Sequence, residues 1–334
     1  MNATQLRRIG IAVAVLLAAW GVSEFWSRRQ DTVTGAWRLP TVAASAIDTV
    51  TILHGADTVV LARTPGEPWT VNGFAAASGT VDDLFGALKD TAPPELVAES
   101  PSSFSRMGVD SAAAWLVRLG SHGTPVLRLF VGGRGPGFDA SYVRVPGDAH
   151  VYVLEGQLGS VVERGVDAWR DKTIAAVPPE SVATVEIERA RSHVTLARRG
   201  SQWTLGGGRA ADSAAVARLL ERFHSLTASG FATARETDSL HFERARRRVT
   251  LQDAKGHELL ALALDSGAAN FWVRRASTGT VYRLDFWQAD QITPAAGALA
   301  SSAPPPARVP AAPPPPKRLA PGASPAPAAH PAHP

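Results

Sequence analysis

The chain has 334 residues, 45% of them hydrophobic, with no cysteine and a formal net charge of +4 at pH 7. The length admits two domains of ordinary size, and the lack of cysteine excludes disulfides, thiolate metal sites, thiol catalysis and a lipidated N-terminal cysteine. The basic balance sits at the ends: residues 1–38 hold five Arg against two acids, residues 301–334 hold Arg308, Lys317 and Arg318 with no acid, and the body between has 26 basic and 28 acidic residues. The body therefore lacks a global field for phosphate backbones, and nucleic acid is not an expected partner.

Arg7 and Arg8 precede an apolar run from Ile9 to Val22, extended by Phe25 and Trp26. As a helix, Ile9 to Trp26 would reach roughly 27 Å, about one hydrocarbon core. Trp20 and Trp26 suit the far interface. The run reads as an uncleaved transmembrane anchor within residues 1–38. A cleaved signal peptide is the alternative, but SEFWSRR after Val22 offers a poor cleavage site. Either way the body is expected across the membrane; with the anchor uncleaved, the expected location is the inner membrane, single-pass, with the bulk of the chain extracytoplasmic and the membrane itself as one partner.

The body contains a duplication. Val50, Ile52, Leu61 and Arg63 match Val185, Ile187, Leu196 and Arg198 at one offset, and Trp69-Thr-Val71 matches Trp203-Thr-Leu205. Val81, Leu84, Phe85 and Leu88 fall at helical spacing, as do Val216, Leu219, Leu220 and Phe223. Later, Tyr142-Val-Arg144 pairs with Trp272-Val-Arg274, and Val151-Tyr152 with Val281-Tyr282. The two modules span residues 39–175, net −5, and 176–300, net +3.

Each module predicts a strand pair, a short strand bearing the Trp, an amphipathic helix (Thr80–Asp90 or Asp212–Leu226, the latter N-capped by Asp212), and four further strands. Gln157–Arg164 closes the first module as a helix. The expected class is α+β: a transmembrane helix, then two tandem repeats of a mostly antiparallel sheet module with packed helices. Residues 301–334, with 13 prolines, predict a disordered Pro/Ala-rich tail.

No catalytic or cofactor motif emerges. The run Gly132-Gly-Arg-Gly-Pro-Gly137 leads into a strand rather than a helix and reads as a hairpin loop, not a phosphate loop. The nine histidines are scattered, so no metal site is predicted. Glu186 and Glu188 share a face, but Thr51 and Leu53 replace them in the first module, which speaks for a wet strand face. Arg244–Arg248 reads as a solvated basic face. The remaining candidates form an interaction face: Tyr142, Arg144 and Tyr152, with Trp272, Arg274 and Tyr282. Arginine beside an aromatic ring, repeated in both modules, favours a structural cation–π role over ligand capture.

Together with Arg170-Asp171-Lys172 after Trp169, these residues resemble a bacterial domain family of unknown function, often encoded beside gliding-motility-type ABC transporter components. The resemblance covers roughly residues 1–290. Ala76-Ala77 departs from the family's Ala-Asp, which Ala211-Asp212 retains. The resemblance implies an envelope protein accessory to an ABC-type transport or motility complex, and it supplies no catalytic residue. The expected function is thus non-enzymatic, with no cofactor and with transporter-type membrane proteins as partners. An envelope polysaccharide- or peptide-binding module, or a hydrolase with its site between modules, are the alternatives.

Overall fold

A computed structural model describes residues 37–89, 92–190 and 192–301. Two nine-stranded antiparallel sheets dominate it. The first comprises β1 (Thr49–His54), β2 (Asp57–Ala62), β3 (Thr70–Val71), β4 (Phe74–Ala75), β5 (Glu95–Ala98), β6 (Trp115–Ser121), β7 (Thr124–Arg134), β8 (Ala140–Arg144) and β9 (Val151–Glu155), in the order β4-β3-β2-β1-β6-β7-β8-β9-β5. β10 (Thr173–Ala175) belongs to the connector.

The second sheet comprises β11 (Thr184–Arg189), β12 (Ser192–Arg199), β13 (Gln202–Leu205), β14 (Arg209–Ala210), β16 (Gly230–Phe231), β17 (Arg247–Gln252), β18 (Glu258–Ser266), β19 (Phe271–Arg275) and β20 (Val281–Leu284). β15 (Leu226–Thr227) pairs with β10. Its order, β14-β13-β12-β11-β17-β18-β19-β20-β16, is that of the first sheet strand for strand.

Side-chain alternation and register produce the two cores. Val50 faces Leu61 and Leu119, and Ile52 faces Val59 and Val117, so one row of β-branched and Leu residues crosses three strands. Val185 and Ile187 repeat this against Leu196, Leu251, Val194 and Val249. Onto each row packs one amphipathic helix. Ser78–Lys89 buries Val81, Leu84, Phe85 and Leu88, while Ser213–His224 buries Val216, Leu219, Leu220 and Phe223. Trp37 and Leu39 also pack against the first core.

Turn chemistry fixes the hairpins. Between β3 and β4, Asn72 (φ 48°) and Gly73 (φ 83°) form the two-residue loop that needs positive φ at both positions, and Asn72 ties itself to β2 by accepting from Val60 N–H and donating to Thr58 O. At Gly132, in β7, a Cβ would lie 2.5 Å from Met107 O, so the close passage of that segment requires glycine. The glycine run thus serves β7 and its following turn.

One expectation needs correction. The class is mainly antiparallel β with few helices, not α+β. Short segments to which the sequence pattern assigns no element (β4, β5, β14, β16) pair at the sheet edges, because exposed backbone beside a strand gains ladder hydrogen bonds that side-chain patterns do not reveal. Among the described residues no helix is long and apolar enough to cross a membrane. The segment expected to form the membrane anchor, and the proline-rich tail from residue 302, lie outside the described residues.

Asp212 caps its helix, with Oδ1 accepting from the Ala214 and Ala215 amides at 2.8 and 3.1 Å. Asp212→Ala is expected to cost about 1 kcal/mol, read as a lowered midpoint in urea unfolding with an unchanged slope. An unchanged midpoint would remove the cap from the stability of this fold.

Candidate functional site

The six residues expected to form an interaction face divide between opposite faces of their sheets. Tyr152 is cross-strand to Val143 and Tyr282 to Val273, and both tyrosines lie in the main cores. Their hydroxyl pKa values are raised, first by burial. Tyr142 and Trp272 point the other way, into two small clusters on the reverse faces. There the segment Phe104–Val109 covers the first sheet and Phe242 the second.

Arg144 is buried. Its Nε donates to Val109 O at 3.0 Å and its guanidinium stacks on Phe104 (4.1 Å) and Phe130 (4.5 Å). Burial lowers its pKa, against Asp110 and Asp148. Arg274 is exposed and stacks on Phe242 at 4.7 Å. In both modules the pair clamps the covering segment. The same device recurs at Arg63 on Trp69 and Arg198 on Trp203.

Other sequence candidates are also engaged internally. Arg247 bonds Asp290 at 2.7 Å and stacks on Phe271, and Arg248 donates to Phe242 O and Glu243 O. Glu188 lies 3.8 Å from Arg248 Nε. Among the described residues, no group of three or more His, Asp or Glu is placed to hold a metal ion.

The feature with most chemistry is the junction between the modules. The connector pairs with both. Asp171 N–H donates to Ala75 O, Ala77 N–H to Trp169 O, and Ala228 N–H to Lys172 O, after which Thr173 pairs with Thr227. Arg170, 8% exposed, bridges to Ala76 and places its guanidinium between two rings, 3.9 Å from the centre of Phe74 on β4 and 3.5 Å from that of Phe231 on β16. Among the described residues its one ion pair, to Asp167, is long at 3.7 Å, and its buried Nε has no hydrogen-bond partner. Burial lowers the Arg170 pKa, partly offset by Asp167.

Beside this sandwich opens a cleft of about 420 Å³, lined by Thr80, Arg164, Arg170, Asp171, Lys172, Thr173 and neighbours. The sequence marks Arg170 through the connector motif. Phe74 and Phe231 carry no such mark, because Gly73-Phe-Ala and Gly230-Phe-Ala are ordinary turn-to-strand tripeptides.

No curated protein and no solved structure matches the chain. The family model described as Domain of unknown function (DUF4340) matches residues 69–245, from the first module's Trp through the junction into the second sheet. That match takes in more than half of the chain, and the protein belongs to the DUF4340 family.

Proposed function

We propose that the protein is a non-enzymatic accessory subunit that braces an ABC-type transport or motility complex at the extracytoplasmic side of the inner membrane. The observation that carries this reading is an edge filled in one module and open in the other. On the second sheet, Phe231 of the edge strand β16 is 6% exposed beneath Arg170 of the connector. At the corresponding place on the first sheet, Leu96 of β5 is 44% exposed and Val97 also lies open. Leu96 pairs with Tyr152 as Phe231 pairs with Tyr282. An exposed apolar edge strand is a template for a partner chain. The resemblance to proteins encoded beside transporter components supplies the class of partner.

Crosslinking in the native host, followed by purification of the tagged protein, tests the proposal. Transporter permease or ATPase subunits are expected to co-purify, and Leu96→Lys should reduce their recovery severalfold while leaving the unfolding midpoint within experimental scatter. Recovery of the protein alone, with crosslinking efficiency shown to be adequate, would sink the reading. The cleft between the modules has one lining carboxylate, Asp171, among three cations, which gives the hydrolase reading no support.

A further inference from the structure

One end of the second sheet carries residues that its twin in the first module lacks. At this end β11, β18 and β20 finish and β17 and β19 begin. The helix Phe286–Ile292 leaves β20 here and reaches β11 and β17, where Asp290 accepts from Arg189 Nη2 at 3.1 Å and from Arg247 Nη1 at 2.7 Å. Ala190 N–H donates to Arg246 O at 2.7 Å, which brings Arg246 beside the turn between β11 and β12.

The helix leaves two large aromatic side chains in water: Phe286 is 43% and Trp287 57% exposed. Phe286 meets Phe271 edge-on with ring centroids 5.4 Å apart, and the adjoining turn between β18 and β19 adds the exposed Ala268 and Ala269. Trp287 precedes Asp290 by three residues and Gln291 by four, so it shares their side of the helix, one turn from the arginines. Arg244 and Arg246 are exposed, and among the described residues neither side chain has an ion-pair or hydrogen-bond partner. Arg189, Arg244, Arg246 and Arg247 outnumber the acids set among them, Asp290 and Glu243. Arg248 lies against Glu188, and Asp285 stands at the helix N-cap, whose positive end it faces.

The first module builds the same strand ends without these groups. Ala112, Ala114 and Trp115 stand where the second has Arg244, Arg246 and Arg247, and Gly156-Gln157 stands where it has Phe286-Trp287. His54 stacks on Trp115 at 4.1 Å in place of the Arg189–Asp290–Arg247 cluster, and a helix, Leu158–Val162, again follows the last strand. The fold therefore requires neither the open aromatic pair nor the two unpaired arginines. Aromatic rings settle at the headgroup level of a bilayer, and arginines beside them meet lipid phosphates, so the combination is complementary to an anionic membrane surface in both apolar character and charge.

We propose that this end of the second module lies on an anionic lipid surface, with Phe286 and Trp287 at headgroup level and Arg244 and Arg246 on lipid phosphates. The inference is independent of the docking reading above, since it uses neither β5 nor a protein partner. Contact here gives the second sheet a fixed orientation on the bilayer.

The test uses the full chain reconstituted into lipid vesicles. The sequence has no cysteine, so Gln291→Cys carries a nitroxide at a single exposed position one turn from Trp287. Ala254→Cys, exposed in the turn at the other end of β17, is the control. Accessibility to oxygen against a water-soluble nickel chelate reads immersion. The nitroxide at position 291 is expected to be immersed in vesicles containing phosphatidylglycerol and water-accessible in pure phosphatidylcholine, with position 254 water-accessible in both. Arg244→Gln and Arg246→Gln should each lower the ratio of docked to undocked chains about fivefold, the scale of one cation at an anionic surface. Trp287→Ser should lower it as well, and all three variants should keep the thermal unfolding midpoint of the labelled parent. A water-accessible position 291 in both kinds of vesicle, or equal immersion in both, overturns the proposal. So does a nitroxide at 291 that is immobilised only when native membrane proteins are added, which would hand this surface to a protein partner.

Discussion

Replacing Trp169 by alanine is expected to destabilise the first module by about 3–5 kcal/mol, the range for truncating a large buried aromatic. Trp169 is 0% exposed within the first core, and its indole Nε1–H donates to Arg164 O at 3.1 Å. Its carbonyl holds the Ala77 amide at the helix entrance, so the void would open where sheet, helix and connector meet. A loss of that size is a large part of the roughly 5–15 kcal/mol that stabilises a domain. Urea unfolding followed by circular dichroism should show a transition at much lower denaturant. Trp169→Phe, which keeps most of the volume and loses one hydrogen bond, should fall between. A loss below about 1 kcal/mol for the alanine variant would mean that the first core does not depend on this residue.

Arg170→Ala is expected to separate the unfolding of the two modules. The guanidinium is the contact shared by Phe74 and Phe231, and each desolvated cation–π face contributes about 1–2 kcal/mol. Their loss should remove about 2–4 kcal/mol of coupling between the sheets. Scanning calorimetry should resolve two transitions in the variant against one in wild type, and protease cleavage should begin within Asp171–Thr173. A single transition retained in the variant, with the connector still protected, would show that the paired backbone of the connector suffices. Arg170→Met, which fills the space between the rings without charge, distinguishes packing from cation–π attraction: retention of one transition assigns the coupling to packing.

What the sequence made legible follows from what a pattern can encode. Helical spacing placed Val81, Leu84, Phe85 and Leu88 on one buried face, as it did Val216, Leu219, Leu220 and Phe223. Asp212 identified itself as a cap because a carboxylate at that position has a local partner. Alternation put Tyr142 and Arg144 on one face of β8, since both lie on one strand. The placing of Tyr152 on the opposite face depends on its register with Val143, which is set between strands and leaves no mark in either segment. The edge strands were missed for a similar reason. β14 and β16 are two residues long, too short to display a period, and exist because a neighbouring strand offers free backbone groups. The Phe74–Arg170–Phe231 sandwich joins residues far apart in sequence and from different modules, so no local motif could announce it.

The strand order has a consequence for the path of folding. β1 pairs with β6 as well as β2, so Thr49 must find Gly120, and β5 pairs with β9, so Leu96 must wait for Tyr152. Each sheet therefore rests on pairings that enclose its helix and several strands, a topology of high contact order that folds slowly compared with a chain of simple hairpins. Until β9 arrives, β5 and β8 have unpaired backbone, and the growing chain carries open strand edges through much of its synthesis. The first sheet closes when residue 155 becomes available, before most of the second has been made. Arg170 follows directly but gains its second ring only with Phe231. Assembly thus proceeds from the N-terminal module outward, with the junction acting as the last latch rather than as a nucleus.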